Sequence, residues 1–170
     1  MYAALDRSAN VIARTLALLG GAVLIGLIVL NTASIIGRAM IGLDIGIGPI
    51  RGIYDMTEIG MAVAIFAFLP WAQIKEAHAR VDLFQPIIPQ KLDLFFDLLF
   101  NVVMAAVAGL IAWRMYFGMV DKQSFGETTL IAQIPVWWGY AGSLVGAVGF
   151  ALVALFCILR SARRLAGQPD

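Results

Sequence analysis

Four stretches of this chain, at about 16–37, 55–74, 93–117 and 135–159, are almost wholly apolar, and the segments between them are polar, short or interrupted by proline. A bilayer core of ~30 Å is crossed by roughly 20 mainly apolar residues in a helix. A helix suits that setting because it satisfies its backbone donors and acceptors within one segment. Each stretch is long enough to span, so the pattern predicts an all-α integral membrane protein with four transmembrane helices. The linkers leave no room for a separate soluble domain, and 1–170 reads as a single four-helix membrane domain. Ahead of the first span, Leu5, Ala9, Ile12 and Leu16 recur at helical spacing while Asp6, Arg7, Asn10 and Arg14 fall largely on other faces. That pattern predicts a short amphipathic lead-in lying at the membrane interface. Between the second and third spans, Leu83, Phe84, Ile87 and Ile88 surround Pro86 and Pro89. Two prolines three apart break a continuous helix, so this segment reads as a bent interfacial hairpin.

Composition agrees with the pattern. Hydrophobic residues make up 61% of the chain and charged ones 14%, against about half and about a quarter in soluble domains. The first apolar stretch is followed by no convincing small-x-small cleavage site, so the first helix is expected to stay. Lysine and arginine near span ends resist translocation. Eight of them (Arg7, Arg14, Lys75, Arg80, Lys91, Arg160, Arg163, Arg164) flank the termini and the 75–93 segment, and four (Arg38, Arg51, Arg114, Lys122) lie toward the opposite side. Both termini are therefore expected in the cytoplasm, with the 37–55 and 118–134 loops outside.

Ionisable groups at membrane depth are costly and so mark candidates for function. Glu58 falls in the first turn of the expected second span, where the helix dipole favours a carboxylate; it could cap that helix or pair with Arg38 or Arg51. Asp97 and Asn101 are spaced i, i+4 and share a face of the third span. That face is expected to point into the bundle or at a partner, since an unsatisfied polar group facing lipid costs several kcal/mol (order of magnitude). Gly139, Gly142, Gly146 and Gly149 form a stripe down the fourth span, below the aromatic belt residues Trp137, Trp138 and Tyr140. Small-residue stripes let helix backbones approach closely in membranes, either within this chain or against another subunit; both readings stay open. The segment KEAHARVD, 75–82, holds His78 and Asp82 among five ionisable side chains, and is expected to be a polar seam rather than a catalytic site.

His78 is the only histidine and Cys157 the only cysteine. Two axial imidazoles for a haem cannot come from this chain, nor can an intrachain disulfide or a cysteine metal cluster. No phosphate-binding glycine loop and no nucleophile with its base is evident. The sequence therefore points to no enzyme, no cofactor, no metal and no nucleic acid, and Cys157 reads as an inert packing residue.

Taken in order, the landmarks resemble the small membrane subunit, DctQ-like, of tripartite ATP-independent periplasmic (TRAP) transporters. They are Asn31 and Gly37–Arg38 closing the first span, Glu58 after Tyr54–Asp55, and H-x-x-V-D at His78–Asp82 with an apolar run ending in Pro89. The last is Ile134–Pro135–Val136–Trp137–Trp138–Gly139–Tyr140 opening the fourth span. The resemblance runs from about 15 to 160. It implies a secondary uptake system in which a periplasmic binding protein delivers an organic acid, often a C4-dicarboxylate or sialic acid. A large membrane subunit would then carry that acid across the bacterial inner membrane with sodium. The chain would be the accessory scaffold subunit, a heterodimer partner of the large subunit in contact with lipid and, transiently, with the binding protein. His78 and Asp82 would serve assembly rather than substrate choice, and nothing in the sequence identifies the substrate. The alternative from the residues alone is a self-sufficient, homo-oligomeric, proton-coupled exporter using Glu58.

Overall fold

A computed structural model describes residues 2–43, 48–77 and 89–167. Four long helices carry the chain: α1 (Tyr2–Ala39), α2 (Ile53–Ile74), α3 (Gln90–Phe125) and α4 (Val136–Leu165), with a short 3₁₀ turn, Met40–Leu43, after α1. All four are long and apolar enough to cross a membrane. The protein is a multi-pass helical membrane protein.

The helix ends follow from local chemistry. Gly52 takes a left-handed conformation, φ 73°, immediately before α2. Proline precedes α3 and α4, at Pro89 and Pro135, where a missing amide donor is no loss. Gly126, φ 62°, closes α3 and donates its N–H to Gln123, the usual service of a residue that carries no Cβ penalty in that conformation.

Two helices run further than their apolar stretches. At 36 residues, α3 extends about 54 Å at the standard rise, well beyond a ~30 Å hydrocarbon core. The 38-residue α1 begins at Tyr2, so the segment expected to lie apart at the interface is the unbroken first part of the spanning helix. Its small residues explain the difference: Ala9 and Ala13 are buried against Ile74, Val153, Phe156 and Cys157, and Tyr2 stacks on Phe156 with ring centroids 5.9 Å apart. A face that packs on two other helices is no longer available to the membrane surface.

In space the order is α1, α2, α4, α3, with the first half of α1 also lying on α4. The direction alternates along the chain, so α2 and α4 are parallel neighbours and α1 and α3 run antiparallel to them. Tyr2, the end of α2 and the end of α4 consequently share one end of the molecule, called here the terminal end, while 40–43, 48–52 and 118–135 lie at the loop end. The most buried helix is α4, which holds Phe150, Val153, Ala154, Phe156 and Cys157 in the core. Among the described residues α3 packs chiefly on α4, through Ala108, Phe150 and Ala154 with Met104 and Ala105 around them.

Candidate functional site

Most polar side chains inside an apolar bundle find partners; here those that do meet at the two ends, while Ser143 Oγ is buried without one among the described residues. At the terminal end, Gln73 Nε2 of α2 donates to Asn101 Oδ1 of α3 at 2.8 Å. Asn101 Nδ2 donates in turn to Ser161 Oγ of α4 at 2.9 Å and to its own helix at Asp97 O, also 2.9 Å. Gln73 and Ser161 are buried. One asparagine thus ties three helices, and it does so from α3, which otherwise packs chiefly on α4. Asp97 lies half-buried one turn away. The expected polar face on α3 turns inward at Asn101.

One turn further out, Glu76 Oε1 accepts from Arg160 Nη2 at 2.6 Å and from Arg164 Nη1 at 3.3 Å. Arg160 Nη1 also donates to Ile74 O, one of the unpaired carbonyls at the end of α2. Glu76 itself adopts φ 53°, with Glu76 N–H bonded to Gln73 O and Ala77 N–H to Ala72 O. That is the C-terminal turn in which glycine normally occupies the left-handed position. The ion pair with α4 holds a non-glycine residue there. Lys75 lies over the Trp71 ring at 4.8 Å. The described part of KEAHARVD is therefore a seam whose charges close on the chain's own helices; His78 and Asp82 lie outside the described residues.

At the loop end, Asn31 Nδ2 of α1 donates to Thr57 Oγ1 of α2 at 2.9 Å, and Ser34 Oγ accepts from Ile50 N at 3.2 Å. The carboxylate at work here is Asp55. Its Oδ2 accepts the backbone N–H groups of Ile131 and Ala132 at 2.9 and 2.8 Å. It pins a loop already closed by the Thr128–Pro135 bridge and by Thr129 N–H to Ile134 O. Glu58 takes a different position from the one expected. Because α2 begins at Ile53, Asp55 occupies the first turn and Glu58 the second, exposed on the outer face of the helix. Arg38 and Arg51 are exposed as well, and neither pairs with Glu58 among the described residues.

The glycine stripe of α4 lies against α2. A Cβ on Gly139 would meet Ile59 at 3.3 Å and one on Gly142 would meet Val63 at 2.8 Å. At Gly146 it would meet the Phe66 carbonyl carbon at 2.5 Å and oxygen at 2.6 Å, and at Gly149 it would run into Leu16 of α1. The Phe66 oxygen is the acceptor that an N–H at position 70 would use, and Pro70 has none. A Cβ at position 146 would therefore collide with the carbonyl so released, so the crossing requires glycine there. Of the two readings left open for the stripe, the fold uses it within the chain.

Sequence reasoning missed Gln73, Ser161, Asp55 and the Glu76–arginine pairs. Only the last had a visible signal, three arginines closing a span opposite an acidic residue closing another. Cys157 is buried, its Sγ 3.9 Å from Gln73 O. Among the described residues no three His, Cys, Asp or Glu side chains converge as a metal site.

Against known families, the model described as "Tripartite ATP-independent periplasmic transporters, DctQ component" matches residues 27–167. No curated protein and no solved structure matches the chain significantly.

Proposed function

Because the chain belongs to the DctQ component family of tripartite ATP-independent periplasmic transporters, we propose that it is the accessory scaffold subunit of such a system. In this reading it braces a large membrane subunit in the inner membrane, and that subunit carries out sodium-coupled uptake of an organic acid delivered by a periplasmic binding protein. The family match carries the reading, and the packing supports it. Asn31 bonds to Thr57, and Gln73, Asn101 and Ser161 bond to one another, each across helices. Such cross-ties stiffen a helix array. Carriers, in contrast, place coupling and substrate groups near the midplane at a repeat interface, whereas Glu58 sits in the second turn of α2.

A rigid array with long apolar helices at both edges of the row suits a subunit that widens the footprint of a larger partner in the bilayer. Substrate choice then belongs to the other two components. Glu58, Arg38, Arg51, His78 and Asp82 are proposed as assembly residues of this subunit.

Affinity purification of the tagged chain from its native membrane in mild detergent, followed by mass spectrometry, tests the proposal. One much larger polytopic protein is expected to co-elute in equal amount. Recovery of the chain alone, as a stable homo-oligomer that transports by itself in liposomes, would overturn it.

A further inference from the structure

Phe100, Val103, Val107, Leu110, Arg114 and Phe117 recur at spacings of three and four along α3, so they form one stripe. It is the stripe turned away from α4, because Met104, Ala105 and Ala108 pack on that helix and Gly118 meets the Tyr140 ring. All six are exposed among the described residues. Five are apolar, and Arg114 has no ionic partner among the described residues. We propose that this stripe seats against a membrane helix of the large subunit that presents a carboxylate to Arg114, an inference that rests on the accessory-subunit reading.

The first argument is depth. Gly118 lies beside the Tyr140 ring and Ala108 beside Phe150, so in these antiparallel helices position 114 falls opposite about residue 144 of α4. That level is about 9 Å inside Trp138 of the aromatic belt at the standard helical rise, within the hydrocarbon layer. The second is direction. Side chains on a helix lean toward its N-terminus. The N-terminus of α3 is at the terminal end, so Arg114 leans away from the surface nearest to it, against the snorkelling that would carry its charge to water. Arg14 on α1 shows the contrast. It follows Ala13, which packs with Cys157, and α1 also starts at the terminal end; there the same lean carries the side chain toward its near surface. The third is composition. Trp113 and Tyr116 flank Arg114 and meet the Phe117 ring edge to face, with centroids 5.5 and 5.7 Å away. Arginine among tryptophan and tyrosine is the make-up of the energetic centres of protein interfaces. Lipid covers an apolar stripe readily, whereas a guanidinium at this depth is costly until it is paired. The charge therefore specifies what the apolar residues alone do not, an acidic group on the covering surface.

The test uses the full tagged chain in its native membrane together with the large subunit. A benzophenone maleimide is attached to Leu110→Cys, with buried Cys157 giving a low background, and illumination is expected to join the chain to the large subunit. Arg114→Leu is expected to lower recovery of the large subunit about tenfold or more, the loss of one charged pair, and Arg114→Lys to lower it less. The thermal midpoint of the Arg114→Leu chain purified by itself is expected to hold or rise, which separates lost docking from lost folding. Adducts with lipid alone or with a second copy of this chain would overturn the proposal, as would undiminished recovery from Arg114→Leu. In those cases recovery of the large subunit by the unsubstituted chain leaves the accessory-subunit reading standing, while no recovery at all would overturn both.

Discussion

At Glu76 a single residue carries two opposed effects. A side chain in the left-handed region is strained by about 1 kcal/mol relative to glycine, and the same side chain holds Arg160 and Arg164 of α4. Removing the carboxylate leaves a largely buried guanidinium without its counter-ion, which costs more than the strain does. Glu76→Ala should therefore destabilise the chain by about 2 kcal/mol, discounted for the partial exposure of the pair. Glu76→Gly, which relieves the backbone, should lose about 1 kcal/mol less. Thermal unfolding of both variants in one detergent checks the order; a glycine variant more stable than the parent would show that the ion pair contributes less than the backbone strain costs. Asp55 and Glu58 illustrate the same local dependence. Both are acidic and near the start of one helix, and the one that binds the 128–135 loop is the one whose carboxylate meets two backbone N–H groups.

Among the elements, α4 is decided by its small residues. Its stripe lets α2 approach until backbone touches backbone at Gly146, next to the carbonyl that Pro70 leaves unpaired. Gly109 on α3 has the opposite setting, with nothing within 4 Å of an added Cβ. Gly146→Ala is thus expected to push α2 and α4 apart and destabilise the chain by about 2–3 kcal/mol, within the range for overpacking a tight core. Gly109→Ala should be neutral or slightly stabilising, because alanine is the better helix former. Unfolding of the two variants side by side is the measurement. Similar losses in both would mean that the α2–α4 approach is not limiting. The start of α1 obeys the same rule, since Ala9 and Ala13 give α2 and α4 room to pack and draw the lead-in into the bundle.

For the whole molecule, the row α1, α2, α4, α3 leaves broad apolar surfaces. Residues such as Leu18, Ile25, Ile28 and Ile35 on α1, and Phe100, Leu110 and Trp113 on α3, are largely exposed, and in a membrane lipid or a partner subunit covers them. Tyr2 and the end of α4 share one end, and the bias of lysine and arginine predicts that this end is cytoplasmic. Cys157 is buried, so cysteines introduced at exposed Ser124 and Ala166 can be labelled over a low background. In intact cells with a membrane-impermeant maleimide, Ser124→Cys should react and Ala166→Cys should react only after lysis. The reverse pattern would invert the assigned topology.

Number, order and approximate position of the spans were legible in the sequence, because hydrophobic length against bilayer thickness is a property of each segment alone. The DctQ resemblance was legible for a related reason, resting on short motifs in a set order along four spans. What each motif touches was not. Whether the Gly139–Gly149 stripe serves this chain or another, whether Asn101 turns inward, and whether Asp55 or Glu58 holds the 128–135 loop all depend on which helices lie side by side. A helical period states which residues share a face, and it is silent on what that face meets. The row of helices answered those questions by setting α2 parallel to α4, a pairing between segments some eighty residues apart that no local pattern encodes.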